Sequence, residues 1–162
     1  MKSITIIGPC YNEFSNIDEF LSRVVKILEK LNFDYRIVLI DDGSEDNTWL
    51  KILEHSKKNT KIHGIKFTRN FGHQSAILAG INFADSEYIF CSDVDLQDPP
   101  ELIEKMFEKL TKENLDVVFG KRTKNIENFF KKYSSIAFYK FFNFFSNIKI
   151  SEQTSDFILM KK

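Results

Sequence analysis

Asp93-Val94-Asp95 and the following Leu96-Gln97-Asp98-Pro99-Pro100 close the apolar run Tyr88-Ile89-Phe90-Cys91. A strand sends alternate side chains to one face, so Asp93 and Asp95 point the same way if strand geometry persists. Neighbouring carboxylates repel unless a cation neutralises them. Hard oxygen ligands suit Mg²⁺ or Mn²⁺, ions that often keep part of their shell for substrate phosphates. The spacing therefore suggests a divalent cation holding a phosphorylated ligand at the carboxyl end of a strand. Asp and Pro also build polar turns, and a turn accounts for an isolated Asp-x-Asp equally well.

Such carboxylates need a scaffold, and the first two thirds of the chain alternate strand-like with helix-like segments. Strands are expected over Ser3–Ile7 (closed by Gly8-Pro9), Arg36–Ile40, Lys61–Phe67, Glu87–Cys91 and Asp116–Gly120. A first helix is expected to start at Ser15 with Asp18, carrying Ile17, Phe20, Leu21, Val24, Val25, Leu28 and Leu31 at helical spacing. A second starts near Asp46 to Thr48 with Trp49, Ile52 and Leu53 inward. A third spans Gln74–Ala84 with Ile77, Leu78 and Ile81 inward. A fourth, opened by Pro99-Pro100, buries Leu102, Ile103, Met106, Phe107 and Leu110. This alternation predicts an α/β fold, a mostly parallel Rossmann-like sheet with helices on both faces. Right-handed crossovers bring the loops that follow the strands to one edge, where ligands of such sheets bind. Asn12-Glu13, Asp41-Asp42, Arg69-Asn70 and Asp93 to Asp98 all follow strands, so distant stretches converge on one crevice.

The 162 residues are enough for one domain, and 43% hydrophobic with 28% charged residues is a globular composition. Lys+Arg equals Asp+Glu, so no bulk basic charge calls for nucleic acid. The two cysteines, Cys10 and Cys91, each end an apolar run and read as buried thiols. No signal peptide and no apolar run long enough to span a bilayer is visible, which predicts a cytosolic chain. A Gly-x-Gly-x-x-Gly fingerprint and a P-loop are both absent, against a dinucleotide oxidoreductase or a Walker-type NTPase.

Four motifs occur in order: Pro9-Cys10-Tyr11-Asn12-Glu13, Asp41-Asp42-Gly43-Ser44-Glu45-Asp46-Asn47-Thr48, Arg69-Asn70-Phe71-Gly72-His73-Gln74-Ser75-Ala76, and Asp93 to Pro100. Together they resemble the family 2 glycosyltransferases of the GT-A fold. The nearest likeness is to polyprenyl-phosphate sugar transferases such as dolichyl-phosphate mannose synthase and the bacterial undecaprenyl-phosphate glucosyl or aminoarabinosyl enzymes. The resemblance implies a UDP- or GDP-sugar donor, with Pro9, Tyr11, Glu13 and Asp42 at the nucleoside, Asp41 also on the donor, and Arg69 reaching the diphosphate. It implies Asp93, Asp95 and Gln97 as ligands of Mg²⁺ or Mn²⁺, with Asp93 also on the donor and Asp95 catalytic. His73 matches a family position but has no metal-ligand spacing, and reads as a loop-packing or hydrogen-bonding residue. Thr154 to Met160 resembles the family's last core strand, which makes Asp156 a candidate active-site carboxylate. Ser155 and Ile158 stand where the family has Gly and Arg. Relatives continue beyond this strand, often with membrane spans, so the C-terminal part is expected to be truncated.

Residues 1–122 thus read as a nucleotide-sugar-binding core, and 123–162 as an amphipathic aromatic helix plus the final strand of the same domain. Arg122, Glu127, Lys131 and Ser135 match family positions that meet the acceptor's phosphate. Seven of the 17 Phe residues fall between Phe129 and Phe145, too many for one inward stripe. Lys131, Lys132, Lys140 and Lys149 flank or interrupt them, as in a helix lying on an anionic membrane surface. A dimer contact, which keeps a homo-oligomer open, or burial under a missing C-terminal segment competes as the explanation.

The expected activity is inverting transfer of a sugar to a polyprenyl phosphate, the protein being peripheral at the inner face of the cell membrane. One alternative acceptor is a saccharide hydroxyl of a cell-surface glycan, with Asp156 as the base. Another reading is a catalytically incomplete nucleotide-binding fragment.

Overall fold

A computed structural model describes residues 2–120 and 156–162, so the expectations for Arg122, Glu127, Lys131, Ser135 and the aromatic segment lie outside the described residues. The elements run β1 (Ser3–Cys10), α1 (Ile17–Lys30), β2 (Asp34–Asp41), α2 (Thr48–Lys58), β3 (Ile62–Lys66), α3 (His73–Phe83), β4 (Tyr88–Cys91), α4 (Leu102–Lys112), β5 (Val117–Phe119) and β6 (Ile158–Lys161). They form one sheet of order β3-β2-β1-β4-β6-β5. The pairs β1–β2, β1–β4 and β2–β3 are parallel, and β4–β6 is antiparallel. Residues 2–118 and 156–162 make up one compact unit.

The sheet is apolar on both faces, as parallel strands between helices must be. On one face Ile4, Ile6, Ile37, Leu39, Phe90 and Leu159 pack against Phe20, Val24 and Leu28 of α1, Ile52 of α2, and Ile103, Met106 and Leu110 of α4. On the other, Ile7, Val38, Ile40, Ile89 and Cys91 meet Ala76 and Ile77 of α3.

Several boundaries differ from the sequence reading, each for a local reason. Strand β1 runs through Gly8-Pro9 to Cys10 instead of closing at Ile7. Ile7 accepts from Ser92 on the β4 side, so Pro9, two residues on, turns its ring nitrogen the same way. The β4 pairing ends at Ile7↔Cys91, so the missing N–H costs no ladder bond. Helix α1 begins at Ile17 without a side-chain cap. Ser15 is not its cap, and Asp18 is held by Lys51 and His55, both on α2. Leu78 is 58% exposed rather than inward, and Leu102 is also exposed. Helix α3 is apolar nearly all round, so periodicity could not choose its face. Small residues chose it, because Ala76 and Gly80 let the helix approach the sheet closely.

The loop after β2 turns at Gly43, whose φ of 70° is left-handed. A Cβ there would stand 2.4 Å from the Arg69 carbonyl carbon and 2.6 Å from the Asn70 nitrogen. Gly43→Ala is therefore expected to destabilise the fold by about 2 kcal/mol or more, from the left-handed cost plus the clash with backbone. A lower urea midpoint would register this; an unchanged midpoint would refute the close approach.

Candidate functional site

The carboxyl ends of β1, β2 and β4 carry the polar loops, and hydrogen bonds between those loops set their positions. The left-handed Asn12, at φ 58°, donates its backbone N–H to Ser44 Oγ at 2.9 Å. Its side-chain oxygen accepts from the Glu45 and Asp46 amides. Glu13 N–H donates to Thr48 Oγ1 at 2.8 Å, and Phe14 N–H to Asp46 Oδ2. Asp46 Oδ1 accepts from the Thr48 amide. Desolvation works against the Asp46 charge, but the Thr48 and Phe14 hydrogen bonds outweigh it and hold the carboxyl below its ordinary range.

Asp42 is buried and ties in the third loop. Its two oxygens accept the Phe71 amide at 2.7 Å and the Gly72 amide at 3.0 Å. Gly72, at φ 95°, then opens α3. Asp41 is fully buried at the end of β2. Its Oδ1 accepts from the Ser44 amide at 3.0 Å, while Oδ2 has no hydrogen-bond partner among the described residues.

Between these loops lies a cavity of about 240 Å³ lined by Pro9, Cys10, Tyr11, Glu13, Asp42, Asn70, Gly72, His73, Asp93 and Val94. Five residues predicted from sequence, namely Pro9, Tyr11, Glu13, Asp42 and Asp93, are thus brought together. Tyr11 is exposed enough to offer a ring face, and Glu13 is braced by Asn16 at 2.6 Å. Asp41, Arg69, Asp95, Gln97 and Asp156 are not among the lining residues. The Arg69 guanidinium lies over the Phe71 ring, 4.7 Å from its centroid.

The strand argument for Asp93 and Asp95 needs correcting. Strand β4 ends at Cys91, so strand alternation does not orient the two carboxylates. Asp95 Oδ1 instead accepts from the Gln97 amide at 3.0 Å, and Leu96 adopts a left-handed φ of 61°. Asp93 faces the cavity with its carboxyl raised above the ordinary value. Burial is the main cause, the His73 ring opposes it, and the negative charges of Asp95, Asp156 and Asp98 add to it.

Asp156 joins this group from the far end of the chain. Strand β6 runs antiparallel to β4, with Cys91 opposite Ile158. Asp93 comes two residues after β4 ends and Asp156 two residues before β6 begins, so the antiparallel pairing brings both to the same edge of the sheet. His73 Nε2 stands between them, 3.4 Å from Asp93 Oδ1 and 3.1 Å from Asp156 Oδ2. Gln74 Nε2 donates to both Asp156 oxygens at 3.2 Å. Sequence reasoning did not assign the lining residues Cys10, Asn70, Gly72 and Val94, nor the position of His73 between two carboxylates. All lie within the four motifs, but only the packed loops distinguish lining from supporting residues.

Among the described residues no three His, Cys, Asp or Glu side chains form a metal cage. Clustered acidic charge around a cavity-facing carboxylate still fits Mg²⁺ or Mn²⁺ of the kind whose shell is completed by substrate phosphates.

Residues 5–162 match the family described as Glycosyl transferase family 2. The chain belongs to this family. It is 40% identical over 98% of its length to the uncharacterized glycosyltransferase YkcC of Bacillus subtilis, covering 49% of that protein. It is 34% identical over 83% of its length to the undecaprenyl-phosphate 4-deoxy-4-formamido-L-arabinose transferase of Proteus mirabilis, covering 41% of it. The chain spans about half the length of the curated relatives it matches. Among solved structures it resembles glucosyl-3-phosphoglycerate synthase from Mycobacterium tuberculosis, crystallised with Mn²⁺, UDP and phosphoglyceric acid. The TM-score is 0.67 at 14% identity, over 99% of this chain and 56% of that one. The fold is therefore GT-A, as the motif order implied.

Proposed function

We propose that this chain carries the donor site, and part of the acceptor site, of a glycosyltransferase that moves a sugar from a UDP- or GDP-sugar to a polyprenyl phosphate. The observation that carries this reading is the cavity at the carboxyl edge, with Tyr11 and Asp42 on its walls and Asp93 among acidic neighbours. Tyr11 offers an aromatic face to the base. Asp42 spends one acceptor site per oxygen on the Phe71 and Gly72 amides, and each oxygen keeps a further lone pair for a ring N–H. A divalent cation held by Asp93, with Asp95 and Gln97 as further candidate ligands, would supply Lewis-acid stabilisation of the leaving diphosphate.

A phosphate acceptor arrives already ionised, so proximity and orientation carry most of its reaction and little base help is needed. Asp156 orients the acceptor side, and Arg122, Glu127, Lys131 and Ser135 are assigned to its phosphate. Likeness to an undecaprenyl-phosphate transferase supports the lipid acceptor. No described helix is long and apolar enough to cross a membrane; the aromatic segment around Phe141 and Phe142 is assigned to peripheral contact with the membrane's inner face.

A second reading rests on Asp156 itself. A carboxylate opposite Asp93 is where a saccharide hydroxyl would need its base. Donor turnover with Mn²⁺ or Mg²⁺ separates the readings. Turnover that requires undecaprenyl phosphate is the expected result, and turnover with sugar acceptors alone favours the second. Nucleotide binding without turnover under any condition would leave only a binding fragment and overturn the proposal.

A further inference from the structure

We propose that Gln74 is a positioning residue that, with His73, aims the Asp156 carboxylate at the donor cavity; this rests on the reading of Asp156 as an acceptor-side group. Four observations carry it. Phe157, directly after Asp156, is buried and stacks edge-on against Phe90 of β4 at 4.8 Å, which anchors the backbone on one side of the carboxylate. The carboxylate itself is 40% exposed, so burial does not choose its rotamer. Directional donors must do so, and Gln74 contacts both its oxygens from the first turn of α3. Finally, α3 is locked to the donor side, because Asp42 holds the Phe71 and Gly72 amides immediately before it.

The chain of contacts is continuous: Asp42 sets the start of α3, the first turn of α3 presents His73 and Gln74, and these set Asp156 opposite Asp93. Gln74 suits the task because its amide is neutral at every pH. A lysine there would neutralise the carboxylate, and a glutamate would repel it. Neither Gln74 nor Asp156 is among the lining residues; Asp156 meets the cavity wall through His73, which also contacts Asp93, and Gln74 bears on it through its hydrogen bonds to the Asp156 carboxylate.

The test uses the full chain with Mn²⁺, a panel of UDP- and GDP-hexoses, and undecaprenyl phosphate or a saccharide as acceptor. Gln74→Ala is expected to lower kcat by roughly 10- to 100-fold, the loss of hydrogen bonds to a charged group, while the calorimetric affinity for UDP or GDP with Mn²⁺ stays at the wild-type value. Gln74→Glu should lose more, with the same unchanged nucleotide affinity. In an Asp156→Asn background, Gln74→Ala should cost little further, since the two act on one group. A merely structural residue would shift nucleotide affinity and thermal midpoint together and would show no such coupling.

Wild-type kcat in Gln74→Ala, alongside a disabled Asp156→Asn, would overturn the positioning role and leave the reading of Asp156 standing. Wild-type kcat in Asp156→Asn would remove that reading and this proposal with it. So would the absence of turnover by the unaltered chain.

Discussion

Asp42→Ala is expected to damage both the fold and the site. It removes the acceptor of the Phe71 and Gly72 amides, and among the described residues only the Gly72 amide has a second acceptor, Asn70 Oδ1. Loss of hydrogen bonds to a buried carboxylate, with one donor left unpaired, should cost about 2 kcal/mol. For a chain of this size that is a fall in Tm of about 4–8 °C. The same change loosens the wall formed by Asn70 and Gly72 and removes a lining carboxylate, so nucleotide affinity should fall more than tenfold. Thermal unfolding and calorimetric titration with UDP and GDP would measure both effects. A variant with wild-type Tm would show that Asp42 does not hold this loop, whatever its effect on binding.

Asp93→Asn is expected to separate stability from function. Its carboxyl is pushed up by burial and by three acidic neighbours, so its negative charge is a cost to the folded chain. Removing that charge should leave Tm unchanged or slightly raised. Nucleotide affinity in Mn²⁺ should nevertheless fall on the order of 100-fold, because interactions worth several kcal/mol pass through the cation. Affinity without metal should barely change. The opposite pattern, a large loss of Tm with intact Mn²⁺-dependent binding, would sink the assignment of Asp93 to the metal. Functional sites commonly hold groups that stability alone would discard.

The contrast between these two aspartates explains how much of the site could be read in advance. Both stand after predicted strands, and their gathering at one edge follows from strand order and crossover hand, which hydrophobic pattern reveals. Their roles do not follow from that pattern. Asp42 is surrounded by backbone donors from the loop before α3, and Asp93 by Asp95 and Asp98 of its own loop together with His73 and Asp156 from other parts of the chain. The same limit explains Leu78, read as inward on an apolar helix whose face was settled by Ala76 and Gly80 against the sheet. It also explains Asp95: an alternation rule valid within a strand was carried past Cys91, where the strand stops.

Local pattern was sufficient for the order of strands and helices, the mixed α/β class, and the loops that hold the polar groups, because periodicity and turn chemistry act between neighbours in sequence. Packing alone decided that Asp156 would stand across from Asp93. A strand's own residues do not specify which way it runs in a sheet; the partner's hydrogen bonds do. Only the reversed direction of β6 delivers the residue preceding it to the edge where the other strands end.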